Sequence, residues 1–143
     1  MRVKKMLMVT LVLCLVPVGL VTAQQGDLDY RELIGTWVYT EYDGLFHNYE
    51  QITWRSDGTT TCFSNSPDLR SFSGASTIAE KWMGQDGSTF AKVILQTGND
   101  SCYMLLKIGA SCDWYEVAFN TDSPDFPGRI EPSSLHYRFY YRL

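Results

Sequence analysis

The sequence lacks the patterns on which most enzymes depend. Only two histidines, His47 and His136, occur in its 143 residues. It has no Gly-rich phosphate loop, no Gly-x-Ser-x-Gly elbow, no His-Glu-x-x-His motif and no paired-carboxylate motif. A catalytic set needs a nucleophile and a base within hydrogen-bond reach, and both histidines are expected at the surface. We therefore predict that the protein is not an enzyme and has neither catalytic residues nor a cofactor.

Positive charge is scarce as well. Twelve lysines and arginines stand against sixteen aspartates and glutamates, and three of the basic residues fall within the first five positions. Without residues 1–23, nine basic and sixteen acidic residues remain, so the net charge is −7. Nucleic acid is therefore not an expected partner, because it requires a basic surface. An anionic membrane surface is disfavoured for the same reason.

A long uninterrupted apolar run is also missing, although the chain begins with a short one. Basic residues precede the apolar stretch Met6–Leu15, and Val21-Thr22-Ala23 has the small-residue ending of a cleavage site. Pro17 and Gly19 interrupt the run, which disfavours the alternative of a membrane anchor. We predict a signal peptide over residues 1–23 and a single domain over 24–143. The expected location is secreted or periplasmic, with no membrane insertion after cleavage.

Cysteine is rare, and its spacing matches no zinc site. Cys62, Cys102 and Cys112 lie outside the predicted leader. An exported protein meets oxidising conditions, so we expect one disulfide, whose pairing the sequence leaves open. No metal site is predicted.

Helical periodicity is nearly absent after the leader, and short runs rich in Thr, Val, Ile and aromatic residues alternate with turn clusters. Most connectors are short enough to force antiparallel hairpins. Eight such strands in series predict an all-β, eight-stranded antiparallel up-and-down β-barrel, which removes exposed edges. The alternative is a two-sheet β-sandwich. The predicted strands cover residues 33–42, 46–55, 59–64, 76–83, 88–96, 101–108, 112–119 and 133–143.

Antiparallel alternation divides the connectors between the two ends of the barrel. The two long loops, 65–75 and 120–132, fall at one end with the connectors 43–44 and 97–100. The tight turns fall at the other end, together with Gly35. This asymmetry predicts a barrel with one open mouth and one closed floor.

The first strand carries Leu33-Ile34-Gly35-Thr36-Trp37, and the last carries Tyr140-Tyr141-Arg142. With these motifs the chain resembles the lipocalins of the calycin superfamily, in particular the short bacterial lipocalin-like domains. The resemblance implies that Trp37 plugs the floor, that Arg142 lies across its ring, and that Gly35 permits close approach of the backbones. Arg138, higher on the wall, is the alternative partner of Trp37.

The lumen of such a barrel either is filled by side chains or holds one small molecule. Strand parity directs Tyr39, Ile52, Trp54, Met104 and Phe139 inward, and these are the predicted ligand-binding residues. The same parity directs Arg138 outward and directs further residues of three strands inward. These are Thr89, Ala91, Val93 and Leu95 in strand 88–96; Cys102, Leu106 and Ile108 in strand 101–108; and Leu135, Tyr137 and Tyr141 in strand 133–143.

Two acidic residues share the inward parity. Glu50 and Glu80 alternate with apolar residues, but burying an unpaired carboxylate is costly. We therefore expect bulges to place both in solvent. The alternative is that either carboxylate binds a cation or the amine of a ligand.

Two functions follow from the barrel. The first is an exported protein that binds a small hydrophobic or aromatic ligand in its lumen. The alternative is a filled barrel that acts as a protein-binding or inhibitor module through loops 65–75 and 120–132, which carry Phe72 and Phe126. An enzyme that uses the lumen is the least favoured possibility.

Overall fold

The computed structural model describes residues 31–42, 44–66 and 70–143. The predicted leader, residues 1–23, lies outside the described residues, as do Asp43 and residues 67–69 of the loop 65–75. Within the described ranges, no helix has the length and apolar character needed to cross a membrane.

Eight strands form a closed barrel in which each strand pairs with the next in an antiparallel manner. The last strand pairs with the first through Trp37↔Arg142 and Val38↔Tyr141. The predicted up-and-down barrel is thus confirmed, and the two-sheet sandwich is not formed. The strands are β1 Gly35–Tyr42, β2 His47–Trp54, β3 Thr59–Ser64, β4 Phe72–Met83, β5 Thr89–Thr97, β6 Asp100–Ile108, β7 Trp114–Asn120 and β8 Tyr137–Arg142.

Two strand starts differ from the prediction by four residues, and the others differ by two or fewer. β4 begins at Phe72 instead of residue 76, because pairing with β3 continues from Thr59↔Ala75 to Cys62↔Phe72. β8 begins at Tyr137 instead of residue 133. The preceding residues form turns in which Tyr137 N donates to the Ser134 carbonyl at 3.2 Å. The long loop before β8 therefore spans residues 121–136.

The predicted inward faces of β5 and β6 are largely confirmed. Their inward residues alternate with polar or half-buried ones, except that Leu105 on the other face is also buried, and only Thr89 and Cys102 are incompletely buried. The other six inward residues are buried in the core: Ala91, Val93, Leu95, Met104, Leu106 and Ile108.

The predicted face of β8 is wrong. Tyr140 is 5% exposed and Tyr141 is 62% exposed, so Tyr140 faces the core and Tyr141 faces solvent. Leu135, also expected inside, is exposed in the loop before β8. The alternation misled because the inward face carries two arginines, Arg138 and Arg142, whereas the outward face is wholly aromatic. The outward ring of Phe139 stacks on Trp114 with centroids 5.4 Å apart.

A bulge in β4 decides the position of Glu80. The register shifts between Ile78, which pairs with Val93, and Glu80, which pairs with Lys92. Beyond this point the strand exchanges its faces. Glu80 therefore lies in solvent, where its carboxylate accepts from Lys92 Nζ at 2.7 Å, as expected.

The expected disulfide is not formed among the described cysteines. Cys62, Cys102 and Cys112 are all free thiols. Cys62 lies on β3, Cys102 on β6 and Cys112 in the turn before β7. Two strands separate β3 from β6 in the barrel, a spacing too wide for the Cα separation of a disulfide.

Candidate ligand-binding cavity

Trp37 closes one end of the barrel. Its side chain is fully buried, and its Nε1 donates to the Leu33 carbonyl at 2.7 Å. The Arg142 guanidinium lies over the indole, 4.2 Å from the ring centroid, in a cation–π contact. This geometry agrees with the arrangement that the resemblance implied, and Arg138 is not the partner of Trp37.

Arg142 also ties the chain before β1 to the floor. Its Nη2 donates to the Glu32 carbonyl at 2.6 Å, and its Nη1 donates to the Ile34 carbonyl at 2.7 Å. A Cβ on Gly35 would lie 2.9 Å from Arg142 Nη1, and the φ of Gly35 is +132°. Gly35 is therefore required by both its backbone conformation and the space that Arg142 occupies.

Above this floor the barrel contains a cavity of about 1300 Å³ that is open at the opposite end and extends between the loops there. The cavity reaches the opposite end of the barrel, at Asn99 and the loop 121–136. All five predicted ligand-binding residues contact it, although Phe139 does so from a strand face that is turned outward. Whether these residues bind a ligand stays a prediction.

A carboxylate lies inside the barrel, against expectation. Glu50 is 0% exposed, since β2 has no bulge and its alternation continues through Glu50, Ile52 and Trp54. The Tyr140 hydroxyl donates to Glu50 Oε2 at 2.6 Å, and Arg138 Nε approaches Glu50 Oε1 at 3.5 Å. The expectations that Glu50 lies in solvent and that Arg138 points outward are therefore wrong. The charge of Glu50 and the charge of Arg138 each lower the free-energy cost of burying the other.

The Arg138 guanidinium makes cation–π contacts with two aromatic rings. It lies 5.1 Å from the ring centroid of Tyr39 and 5.7 Å from that of Phe119. Its Nη1 donates to the carbonyls of Tyr137 at 2.8 Å and Leu135 at 3.2 Å. These bonds fix the guanidinium at the mouth end of the cavity.

The hydroxyl and thiol groups of the cavity stay protonated at neutral pH. Burial raises the pKa of Tyr140 well above its usual value, and the neighbouring Tyr115 and Glu50 raise it further. Burial, followed by the hydrogen bond to Glu41, also raises the pKa of Tyr39. Burial and Glu50 raise the pKa of Cys62 to about 12. The cavity therefore presents neutral hydroxyls and an unreactive thiol.

One buried donor of the cavity is unpaired. Trp54 is 1% exposed, and its Nε1 has no hydrogen-bond partner. The Trp54 N–H lowers the pKa of Tyr115 as a weak hydrogen-bond donor does, against the larger raising effect of burial. The Trp54 Nε1 and the Tyr115 hydroxyl nevertheless do not meet in hydrogen-bond geometry. Sequence alone did not reveal this unpaired donor, because its surroundings depend on how β2 and β7 orient their side chains.

The aromatic residues assigned to the loop alternative have other partners. Phe72 belongs to β4 and packs against the core. Phe126 contacts Tyr103 edge-on, with centroids 5.4 Å apart. The barrel contains a cavity, whereas that alternative expects a filled interior. Protein binding through the two loops stays a prediction.

The two histidines lie apart at the surface. His47 is exposed at the start of β2, and His136 is exposed beside Phe119, with ring centroids 5.4 Å apart. In the part of the chain that the structure describes, no group of three or more His, Cys, Asp or Glu side chains is arranged to hold a metal ion.

Comparison with protein-family models, with curated proteins and with solved structures gives no match for this chain.

Proposed function

We propose that this protein binds a small, predominantly apolar molecule inside its barrel, in the manner of the lipocalins that its first and last strands resemble. The observation that carries the proposal is the cavity of about 1300 Å³, closed at the Trp37 floor and reaching the opposite end. Pockets of roughly 300–1,000 Å³ enclose drug-sized ligands, so this one is large enough for a single such molecule. The predicted leader supports action in a secreted or periplasmic compartment.

The wall of the cavity supports a mainly apolar ligand. Ile52, Met104 and Leu106 contact it, as do the rings of Tyr39 and Phe119. Affinity would come chiefly from apolar area removed from water, about 25 cal/mol per Å². The floor is fixed by Arg142, so the ligand would enter at the end formed by Asn99 and the loop 121–136.

A fluorescent apolar probe tests this proposal. N-phenyl-1-naphthylamine brightens in apolar surroundings, and we expect saturable binding of one molecule per barrel. Met104→Trp adds a large ring to the cavity wall and should abolish probe binding. Thr77→Trp, at an exposed position of β4, is the matched control and should bind as the natural protein does. Thermal unfolding of both variants checks that each one folds.

Equal probe binding by the two folded variants would show that the probe does not occupy the lumen. The proposed function would then fail. For a physiological ligand, native mass spectrometry of protein purified mildly from its source should show a bound mass.

A further inference from the structure

We infer that the cavity selects an uncharged ligand whose inner end carries an oxygen acceptor, and that the Trp54 indole N–H donates to this oxygen. The inference rests on the proposed function and adds the chemical class of the ligand. Two independent features carry it: the unpaired donor at Trp54 and the distribution of charge along the cavity.

Trp54 offers the donor. Its indole contacts the cavity and is almost fully buried, yet Nε1 has no hydrogen-bond partner. Buried polar groups in proteins are nearly always paired, so an unpaired one requires an explanation. An indole N–H can only donate, so the matching ligand atom must be an acceptor.

The position of Trp54 fixes which end of the ligand carries this acceptor. Trp54 pairs with Gly35 on β1 and with Thr60 on β3, at the floor end of the barrel. Glu50 lies on the same strand four residues nearer the mouth, about 13 Å away along an extended chain. The acceptor therefore belongs to the end of the ligand that enters first.

Charge disfavours an anionic ligand. Glu41, Asp100 and Asp122 contact the cavity at its mouth, where all three residues are exposed. Glu50 lies inside, and its charge is balanced by Arg138. A carboxylate ligand would pass the three mouth carboxylates and would then approach Glu50.

A cationic ligand fits no better. Both oxygens of Glu50 are already engaged, by Tyr140 and by Arg138. An ammonium has only donors, so it leaves Trp54 Nε1 unpaired. A ligand with a ketone, aldehyde, ester or lactone oxygen on an apolar body carries no charge and offers an acceptor to Trp54 Nε1, so it meets both requirements.

Four naphthalene compounds of similar size test the inference in competition with N-phenyl-1-naphthylamine. These are 2-acetylnaphthalene, 2-ethylnaphthalene, 2-naphthoate and 2-naphthylmethylamine at neutral pH. We expect the ketone to bind about fivefold to tenfold more tightly than the ethyl compound, which has nearly the same shape and no acceptor. The two charged compounds should bind more weakly than the ketone.

Trp54→Phe keeps an aromatic ring and removes the N–H. We expect it to abolish the preference for the ketone by weakening ketone binding about fivefold to tenfold, with little change for 2-ethylnaphthalene. Trp82→Phe is the matched control, because Trp82 lies on the outer face and stacks on Phe90. This control should preserve the preference.

An NMR measurement on the natural protein does not depend on the folding of a variant. The Trp54 indole proton should move downfield when the ketone is added, and it should not do so with 2-ethylnaphthalene. An unchanged resonance, a ketone preference that survives Trp54→Phe, or tighter binding of either charged compound would overturn the inference while leaving the lumen a binding site. Failure of every compound to compete, together with unaltered probe binding in Met104→Trp, would instead refute the proposed function itself.

Discussion

Arg142 connects three parts of the chain through one side chain. Its guanidinium covers Trp37, and its nitrogens bind carbonyls of Glu32, Ile34 and Cys112. Lysine could not replace it, because a single ammonium lacks the planar fork of donors and the flat face that rests on the indole. Arg142, the arginine of the last-strand motif Tyr140-Tyr141-Arg142, therefore has a structural role at the floor of the barrel.

Trp37→Ala should lower the free energy of unfolding by about 3–5 kcal/mol, because it removes a fully buried ring and leaves Arg142 without its cation–π partner. Urea denaturation followed by circular dichroism measures the change. Trp82→Ala removes the same side chain from the outer face, where Trp82 is 38% exposed, and should cost less than half as much. A loss below ~1 kcal/mol for Trp37→Ala would contradict the role assigned to the ring.

Single residues also show where sequence patterns stop being informative. Gly35 and Trp37 are recognisable as a motif, and their positions follow from it. Glu50 and Arg138 are 88 residues apart, and each appears too polar to be buried when it is considered alone. Their burial depends on one charge compensating the other, and no local pattern records this pairing.

Among the strands, β5 and β6 were predictable because one face of each is apolar and the other is mostly polar or half-buried, with Leu105 as the exception. β8 was not, because it turns Tyr140 and the arginines Arg138 and Arg142 inward, whereas its outward face is wholly aromatic. The bulge in β4 changed the face of its second half, as was expected for Glu80. Alternation therefore predicts the faces of a strand only when the more polar face is the one that lies in solvent.

β4 and β5 approach each other very closely at Gly74. A Cβ at this position would overlap the Gln96 carbonyl oxygen. We expect Gly74→Ala to destabilise the protein by about 2–3 kcal/mol, because the backbones must separate to admit the methyl group. Gly128→Ala is the control, since a Cβ there meets no atom within 4 Å. Equal unfolding midpoints in urea for the two variants would show that the strands are not in close contact at Gly74.

For the molecule as a whole, alkaline pH should be destabilising. The folded barrel raises the pKa of Cys62 from 9.0 to about 12 and that of Cys102 from 9.0 to about 11, in both cases chiefly by burial. The unfolded chain therefore loses these protons first. Their contribution to stability is fully present below pH ~9 and is lost as the pH rises toward these folded values.

Urea denaturation under reducing conditions, from about pH 8 to about pH 11, measures this dependence. Each thiol that is ionised only in the unfolded chain lowers the free energy of unfolding by up to ~1.4 kcal/mol per pH unit. In the double variant Cys62→Ala, Cys102→Ala, the free energy of unfolding should fall less steeply with pH, because neither thiol is present to ionise. A natural protein as stable at pH ~10.5 as at pH ~8 would contradict the burial of the thiols.

Closure of the barrel also constrains when the protein can fold during its synthesis. Arg142 reaches the Glu32 carbonyl across 110 residues of chain, and only two residue pairs join β8 to β1. The floor therefore cannot form on the ribosome until β8 has been made. Contacts between such distant residues also slow folding. A nascent chain that still lacks β8 presents unpaired edges on β1 and β7, so chaperones that shield such edges should engage it until the last strand arrives.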